Sequence, residues 1–193
     1  MSPAAPILFF DLGSPYAYLA IERAAAALGV EPELEPVLLG GIFAQRGYGS
    51  WSATPVRDVR VAEIEARASR YGLPPLHWPS GWPADGLLAM RCATWAKQQG
   101  AVDTFARAAF RREFAEGGDI SDPELIAAAA AEAGLDAGEM IEAAATSPIK
   151  AALRDATQRA WELGVRGVPS LLLADAVFYG DDQLELAAAL LAD

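Results

Sequence analysis

The chain of 193 residues contains one cysteine, Cys92, and one histidine, His77. A single cysteine excludes an internal disulfide, a CxxC redox pair and a thiolate-rich metal site. Any zinc site or Ser-His-Asp triad would depend on His77, which lies in the proline-rich stretch LPPLHWPSGWP, a pattern typical of a loop. We therefore predict no metal cofactor, a plain loop position for His77 and a buried structural role for Cys92.

Basic residues and long apolar runs are also scarce. Lysine and arginine number 15 against 26 acidic residues, which gives a formal net charge of −11. This charge repels phosphate backbones and anionic lipid surfaces, and no apolar run has the length of a membrane span. The chain also shows no basic, cleavable leader. We expect a soluble, cytoplasmic protein that binds neither nucleic acid nor membranes.

The stretch ILFFDLGSPYAYLAIERAAAALG near the beginning of the chain predicts a strand followed by a helix. Ile7 to Phe10 form an apolar run of strand length, and apolar residues then recur at helical spacing until Gly29. Ser14 is placed as the N-cap of this helix and Pro15 as its first residue. On this stretch alone, capping the helix is a sufficient role for Ser14.

Further along, the pattern predicts a second strand, a long helical stretch and a closing hairpin. Leu34 and Val37 indicate the second strand, and Pro36 favours an edge position for it. Residues 40–50 are glycine-rich and are predicted to be irregular. Helices are predicted over 61–71, around 88–95 and 105–110, after capping boxes at Ser121/Glu124 and Asp136/Glu139, and from Ser147-Pro148 to Leu163. Strands at Leu171–Leu173 and Val177–Tyr179 precede a last helix through Leu184 and Leu191.

This order predicts an α/β thioredoxin-like fold with a large all-helical insertion. The thioredoxin-like core is assigned to residues 1–39 and 147–193, and the inserted helical domain to residues 40–146.

Five segments carry a resemblance to a known family: FDLGSPYAYLA, PVLLGGIF, YGLPP, LLAMR and LGVRGVPSLLLADAVFYGDDQLE. Together they resemble the 2-hydroxychromene-2-carboxylate isomerases, relatives of kappa-class glutathione transferases and of the DsbA family. In that superfamily the active residue lies at the start of the first helix and faces a cis-proline, and Ser14 and Val168-Pro169 match these positions. Ser14 and Ala17 replace the two cysteines of the CxxC motif, so disulfide exchange is excluded.

The resemblance implies an isomerase that uses glutathione or another low-molecular-weight thiol on a small aromatic unsaturated keto acid. A free thiol, with a pKa of about 8.5, is only slightly ionised at neutral pH. A helix N-terminus and a hydroxyl donor both stabilise a nearby thiolate. In this interpretation Ser14 is the catalytic residue, because it holds the thiolate of the cofactor.

The same resemblance implies the residues that bind the thiol cofactor. The backbone of Val168, before Pro169, is expected to pair with the cysteinyl part of glutathione as an added strand would. Gly180, Asp181 and Asp182 match the turn that seats the γ-glutamyl end, although the two aspartates could also simply cap the last helix.

Tyr16 and Trp51 are candidate substrate-binding residues, in an aromatic pocket to which Trp78 and Trp82 could also contribute. The chain departs from the family at three polar positions, where it has Ala44, Tyr48 and Gln183. Arg57 is the nearest basic residue that could hold a carboxylate in compensation, and these departures leave the identity of the thiol open.

Two alternatives remain open at this stage. A kappa-like glutathione transferase would use the same thiolate but release a conjugate. A redox-inactive thioredoxin-fold binding module would hold a peptide or partner beside Pro169, with Ser14 only as a cap. The relatives also suggest a homodimer.

Overall fold

A four-stranded mixed sheet forms the centre of the computed structural model, which describes residues 5–47 and 49–191. The strands are β1 (Ile7–Phe10), β2 (Glu33–Pro36), β3 (Ser170–Leu173) and β4 (Ala176–Tyr179), in the spatial order β2-β1-β3-β4. β1 pairs in parallel with β2 and antiparallel with β3, and β3 pairs antiparallel with β4. β2 is an edge strand, as Pro36 predicted.

Helices surround this sheet and make up most of the structure. In chain order they are α1 (Pro15–Leu28), α2 (Leu39–Arg46), α3 (Arg57–Arg70), α4 (Leu87–Gln98), α5 (Val102–Phe110), α6 (Pro123–Glu132), α7 (Ala137–Ala145), α8 (Ser147–Glu162) and α9 (Leu184–Leu191). A single π-helical turn, Arg111–Ala115, continues α5. Within the described ranges, no helix is both long and apolar enough to cross a membrane.

The prediction that residues 40–50 are irregular is wrong, because α2 occupies most of this stretch. The Asp11 carboxylate accepts a hydrogen bond from the Leu39 amide at 2.7 Å and so caps α2 from a distant loop. Ile42 is fully buried, and a Cβ on Gly41 would lie 3.1 Å from the Thr157 methyl carbon of α8. These tertiary contacts outweigh the low helix propensity of the glycines.

Two predicted helix starts are also corrected. The N-cap of α6 is Asp122, whose Oδ1 accepts from the Glu124 amide at 2.9 Å, while the Ser121 hydroxyl donates to Asp119. Ser147 lies inside α8, and its N-cap Thr146 makes no side-chain capping bond. Each is one residue from the prediction; at α6 the reason is that adjacent polar side chains compete for the same amides. The predicted cap Asp136 is confirmed.

The helical block packs on the sheet through one large apolar core. Leu8 and Phe10 of β1 join Met90 of α4 and Phe110 of α5 in this cluster. Phe9 points to the opposite sheet face and belongs to a smaller cluster with residues of α2 and α8. The division of the chain at residues 40 and 146 stays a prediction.

Candidate active site

The start of α1 directs unpaired hydrogen-bond donors into a cleft. Ser14 is buried and extended, and its Oγ accepts from the Ala17 amide at 3.3 Å, which confirms it as the N-cap. Capping uses a lone pair, so the hydroxyl hydrogen of Ser14 remains free to donate. Pro15 has no amide hydrogen, and no described residue accepts from the Tyr16 amide. The Ser14 hydroxyl and the Tyr16 amide are therefore neighbouring donors at the N-terminus of α1, which is the positive end of the helix dipole.

The loop before β3 forms the facing wall. The Val168–Pro169 peptide bond is cis, the isomer that the sequence predicted. The Ser170 hydroxyl donates to the Gly167 carbonyl at 2.8 Å and fixes this loop. A Cβ on Gly167 would lie 2.8–2.9 Å from the outer ring atoms and hydroxyl of Tyr179, so any larger residue there would displace this exposed side chain. Among the described residues, none is hydrogen-bonded to the amide or carbonyl of Val168. That backbone is available to pair with an extended peptide.

Two adjoining clefts meet at Tyr16, Trp51, Val168 and Tyr179, which line both. The aromatic cleft also includes Ser14, Phe43 and Trp82, and the charged cleft also includes Arg60, Arg67, Pro169 and the turn Gly180–Asp182. Their volumes are about 160 and 270 Å³, so together they reach the range of ligand sites, about 300–1,000 Å³.

Aromatic rings form a continuous wall from Tyr16 inward. The Tyr16 and Trp51 ring centroids are 6.0 Å apart, those of Trp51 and Trp82 are 5.4 Å apart, and those of Trp82 and Trp78 are 4.9 Å apart. Trp82 Nε1 donates to the Gly13 carbonyl at 3.3 Å, which ties this wall to the loop before Ser14. Tyr16, Trp51 and Trp82 line the aromatic cleft, whereas Trp78 lies behind it.

The turn after β4 is held by buried charge. Asp181 is fully buried, and its two carboxylate oxygens accept from Arg67 at 2.8 Å and from the Tyr71 hydroxyl at 2.9 Å. Burial raises the pKa of Asp181, and these two partners only partly oppose the rise. The Asp182 side chain is 49% exposed and lies 3.3 Å from Arg67. Gly180, which has no side chain, is the N-cap of the 3-10 turn Asp181–Gln183 that precedes α9.

The structure brings most of the predicted site residues together but leaves Arg57 outside. The Arg57 guanidinium pairs with Asp58 at 3.5 Å and lies 5.8 Å from the Trp82 ring centroid, yet Arg57 lines neither cleft. Arg60 and Arg67 face the charged cleft instead. Sequence reasoning missed them, although their spacing with Glu63 places all three on one helix face.

Of the three departures from the family, two have described positions. Ala44 is exposed on α2, and Gln183 contacts Asp182 only weakly, at 3.5 Å. Tyr48 lies outside the described residues.

A buried carboxylate behind Ser14 was also missed. Asp11 Oδ1 accepts from the Gly13 amide at 2.9 Å and its carbonyl accepts from the Ser14 amide at 3.0 Å, while its Oδ2 caps α2. Burial raises the pKa of Asp11 despite the two amide bonds. Asp11 thus connects the Ser14 loop to the helix that carries Phe43. Its place directly after a buried strand was the available signal.

The sequence profile of the DSBA-like thioredoxin domain matches residues 7–192 of this chain. The chain belongs to the DsbA-like thioredoxin family. It is 28% identical over 192 residues to 2-hydroxychromene-2-carboxylate isomerase of Sphingobium xenophagum, with 96% of each protein covered. It is also 28% identical over 204 residues to glutathione S-transferase kappa 1 of Homo sapiens, with 96% of this chain and 90% of that protein covered.

Solved structures show the same fold. A 2-hydroxychromene-2-carboxylate isomerase structure superposes with a TM-score of 0.86 at 20% identity, over 97% of this chain and 94% of that one. The cytosolic disulfide reductase DsbM from Pseudomonas aeruginosa, solved with GSH, gives a TM-score of 0.65 at 16% identity, over 97% of each chain. The predicted thioredoxin-like fold and the family resemblance are confirmed.

The single thiol of this DsbA-like chain lies in the core and is not part of a CxxC motif. Cys92 is fully buried, and burial raises its pKa to about 12. His77 is exposed on a loop, as predicted. Across residues 5–47 and 49–191, no group of three histidine, cysteine or acidic side chains could hold a metal ion.

We therefore expect the purified protein neither to reduce insulin disulfides nor to oxidise dithiols, because Ser14 and Ala17 occupy the reactive positions and Cys92 stays protonated. Insulin turbidity and dithiol-oxidation assays measure this. Catalysis above background that disappears in Cys92→Ser would contradict the structural role of this cysteine.

Proposed function

We propose that this DsbA-like protein is a thiol-dependent isomerase of a small aromatic unsaturated keto acid, with glutathione or a similar low-molecular-weight thiol as cofactor. The observation that supports this most directly is the set of unpaired groups around one cleft: the Ser14 hydroxyl, the Tyr16 amide and the backbone of Val168. The names of the two curated relatives, an isomerase and a glutathione transferase, agree with it.

The residues present fit a thiol peptide. Val168 offers one amide and one carbonyl for backbone pairing. Pro169, Gly180 and Asp182 line the same cleft as Val168. The half-exposed carboxylate of Asp182 suits the ammonium group of a γ-glutamyl end. Asp181 contributes by holding the turn through Arg67 and Tyr71, since both of its oxygens are already bonded.

When bound, the thiol supplies a sulfur nucleophile that adds reversibly to the activated double bond, so that the carbon–carbon bond rotates before the sulfur leaves. The chain's part is to keep that sulfur ionised and to orient the substrate. The Ser14 hydroxyl and the Tyr16 amide donate toward the negative charge, and the helix dipole adds to their effect. Tyr16 and Trp51 provide flat apolar surfaces for the aromatic ring.

A glutathione transferase is the second candidate, because the same cleft would activate the same sulfur and a kappa-class transferase is among the relatives. The difference lies in whether the thiol is returned or retained in the product. The homodimer and the cytoplasmic location remain predictions.

The test is to titrate glutathione and cysteine into the protein at neutral pH while following thiolate ultraviolet absorbance. We expect a stoichiometric thiolate signal that free thiol at the same pH does not give, because Ser14 and the α1 terminus lower the thiol pKa. Product analysis with 2-hydroxychromene-2-carboxylate then separates an isomer from a thiol conjugate. If neither thiol binds as a thiolate, the proposal fails and a redox-inactive binding module is favoured.

A further inference from the structure

The charged cleft contains a phenol donor that has no acceptor. The Tyr16 hydroxyl is buried, and its hydrogen has no acceptor in the part of the chain that the structure describes. The Arg60 guanidinium lies close enough to act on the Tyr16 oxygen through its charge and through hydrogen bonding. Burial raises the pKa of this hydroxyl and Glu63 adds to the rise, while the charge and hydrogen bonding of Arg60 and the charge of Arg67 only partly offset it. The hydroxyl therefore keeps its proton, and a buried donor of this kind is costly unless a ligand accepts from it.

Arg60 places a cation on the same cleft. Its side chain is 48% exposed, and one of its nitrogens donates to Glu63 at 2.8 Å. A guanidinium has five N–H donors, so the bond to Glu63 and the contact with the Tyr16 oxygen leave further donors available. Arg60 and Tyr16 both line the charged cleft, whereas Glu63 does not.

Arg67, the other arginine of the cleft, is already committed. It contacts Glu63 at 2.6 Å, Asp181 at 2.8 Å and Asp182 at 3.3 Å. Three acidic partners balance its charge, and its side chain is only 19% exposed. Arg60 is thus the arginine of this cleft with donors left for a ligand.

We propose that Arg60 and the Tyr16 hydroxyl form a carboxylate-binding subsite beside the Val168–Pro169 groove. A planar guanidinium and a phenol that converge on one point match the two oxygens of a carboxylate. A multiply charged anion fits less well, since Asp182 lies on the same cleft with its carboxylate half-exposed. The subsite rests on the proposed function only for the identity of the ligand: the carboxylate is either that of the thiol peptide or that of the aromatic substrate.

The experiment measures binding by calorimetry for two matched pairs of probes: glutathione and its glycine-amide analogue, and 3-phenylpropenoate and its amide. Arg60→Met and Tyr16→Phe are compared with Arg70→Met, an exposed arginine on α3 that lines neither cleft. Arg57→Met, with a side-chain exposure of 42%, tests the arginine that the sequence suggested. Circular dichroism verifies that each variant is folded.

We expect Arg60→Met to weaken the binding of one of the two carboxylate probes about tenfold or more, which is the size of one charge-assisted hydrogen bond. Binding of the matching amide should be unchanged. Tyr16→Phe should weaken the binding of the same carboxylate probe by a smaller factor, and Arg70→Met should leave the binding of both probes unchanged. A selective effect on glutathione assigns the subsite to the thiol, and one on 3-phenylpropenoate assigns it to the substrate.

The subsite is overturned if the wild type binds neither carboxylate, if carboxylate and amide bind it equally well, or if Arg57→Met rather than Arg60→Met produces the loss. The 3-phenylpropenoate arm needs no thiol. A selective loss there, in a protein that binds no thiolate, would support the subsite while the proposed isomerase function fails.

Discussion

Replacing Ser14 by alanine is expected to raise the pKa of a bound thiol by about one to two units and to reduce turnover at neutral pH about 10- to 100-fold. The reason is the loss of a hydrogen bond from a hydroxyl to a charged sulfur, worth about 1.5–3 kcal/mol. The Tyr16 amide and the helix dipole remain and keep part of the effect. Titrating bound glutathione against pH, with thiolate absorbance as the readout, measures the shift directly.

The same substitution also removes a helix cap. The Ser14 Oγ accepts from the Ala17 amide, so alanine should cost about 0.5–2 kcal/mol of unfolding free energy. Asp136→Ala is the matched control, because Asp136 caps α7 through the Glu139 amide at 2.9 Å and lines neither cleft. It should lower stability to a similar extent and leave the thiol pKa unchanged. An unchanged thiol pKa in Ser14→Ala would reduce Ser14 to a cap.

A second large effect, on the pH dependence of stability, is expected at Glu113, in the π-helical turn after α5. Its side chain is fully buried, and neither of its oxygens has a hydrogen-bond partner among residues 5–47 and 49–191. Burial raises the pKa of Glu113 well above its ordinary value, and Asp11 and Asp119 add to the rise. The folded protein therefore holds a proton on this carboxyl that the unfolded chain releases above a pKa of about 4.5.

The sign of the pH dependence follows from this difference. Below about pH 4.5 both states are protonated, and the contribution of Glu113 to stability is fully present. As the pH rises toward the folded-state pKa, stability is lost at up to about 1.4 kcal/mol per pH unit, because the folded state binds one more proton.

Glu113→Gln removes this titration while keeping the shape of the side chain. We expect the variant to gain stability relative to the wild type as the pH rises from about 5 to about 8, with a slope of up to about 1.4 kcal/mol per unit. Chemical denaturation across this range measures it. Glu116→Gln, an exposed neighbour, controls for the loss of a carboxylate. A pH-independent difference between wild type and Glu113→Gln would show that Glu113 is not held neutral in the fold.

Elements with local signals could be predicted from the sequence. Neighbours in the chain gave the signal for three of them: the apolar run Ile7–Phe10, the Ser14-Pro15 helix start and the edge strand that contains Pro36. The helix α2 could not be predicted in the same way, because its cap comes from Asp11 and its packing partner Thr157 is more than a hundred residues away.

The predicted thiol groove depends both on sequence motifs and on contacts between distant segments. Ser14 and Val168-Pro169 were recognised by family resemblance, but what places them on one cleft is the antiparallel pairing of β3 with β1. Arg57 was predicted to hold a carboxylate, but Arg60 lines the charged cleft and Arg57 does not. Both residues lie on α3, three positions apart, so the packing of α3 against other segments, which a local pattern does not encode, decides which of them faces the cleft.

The sequence by itself determined that no CxxC pair can form, because the chain has one cysteine, and its apolar helix pattern predicted that this cysteine is buried. It also determined the cap at Ser14, because capping involves only the next three residues. The tertiary structure alone decided that Asp181 is bonded to Arg67 and Tyr71, that Arg60 faces the cleft and that Glu113 is buried without a partner. The partners and solvation of a charged side chain depend on distant segments, and a local pattern carries no information about which segments pack there.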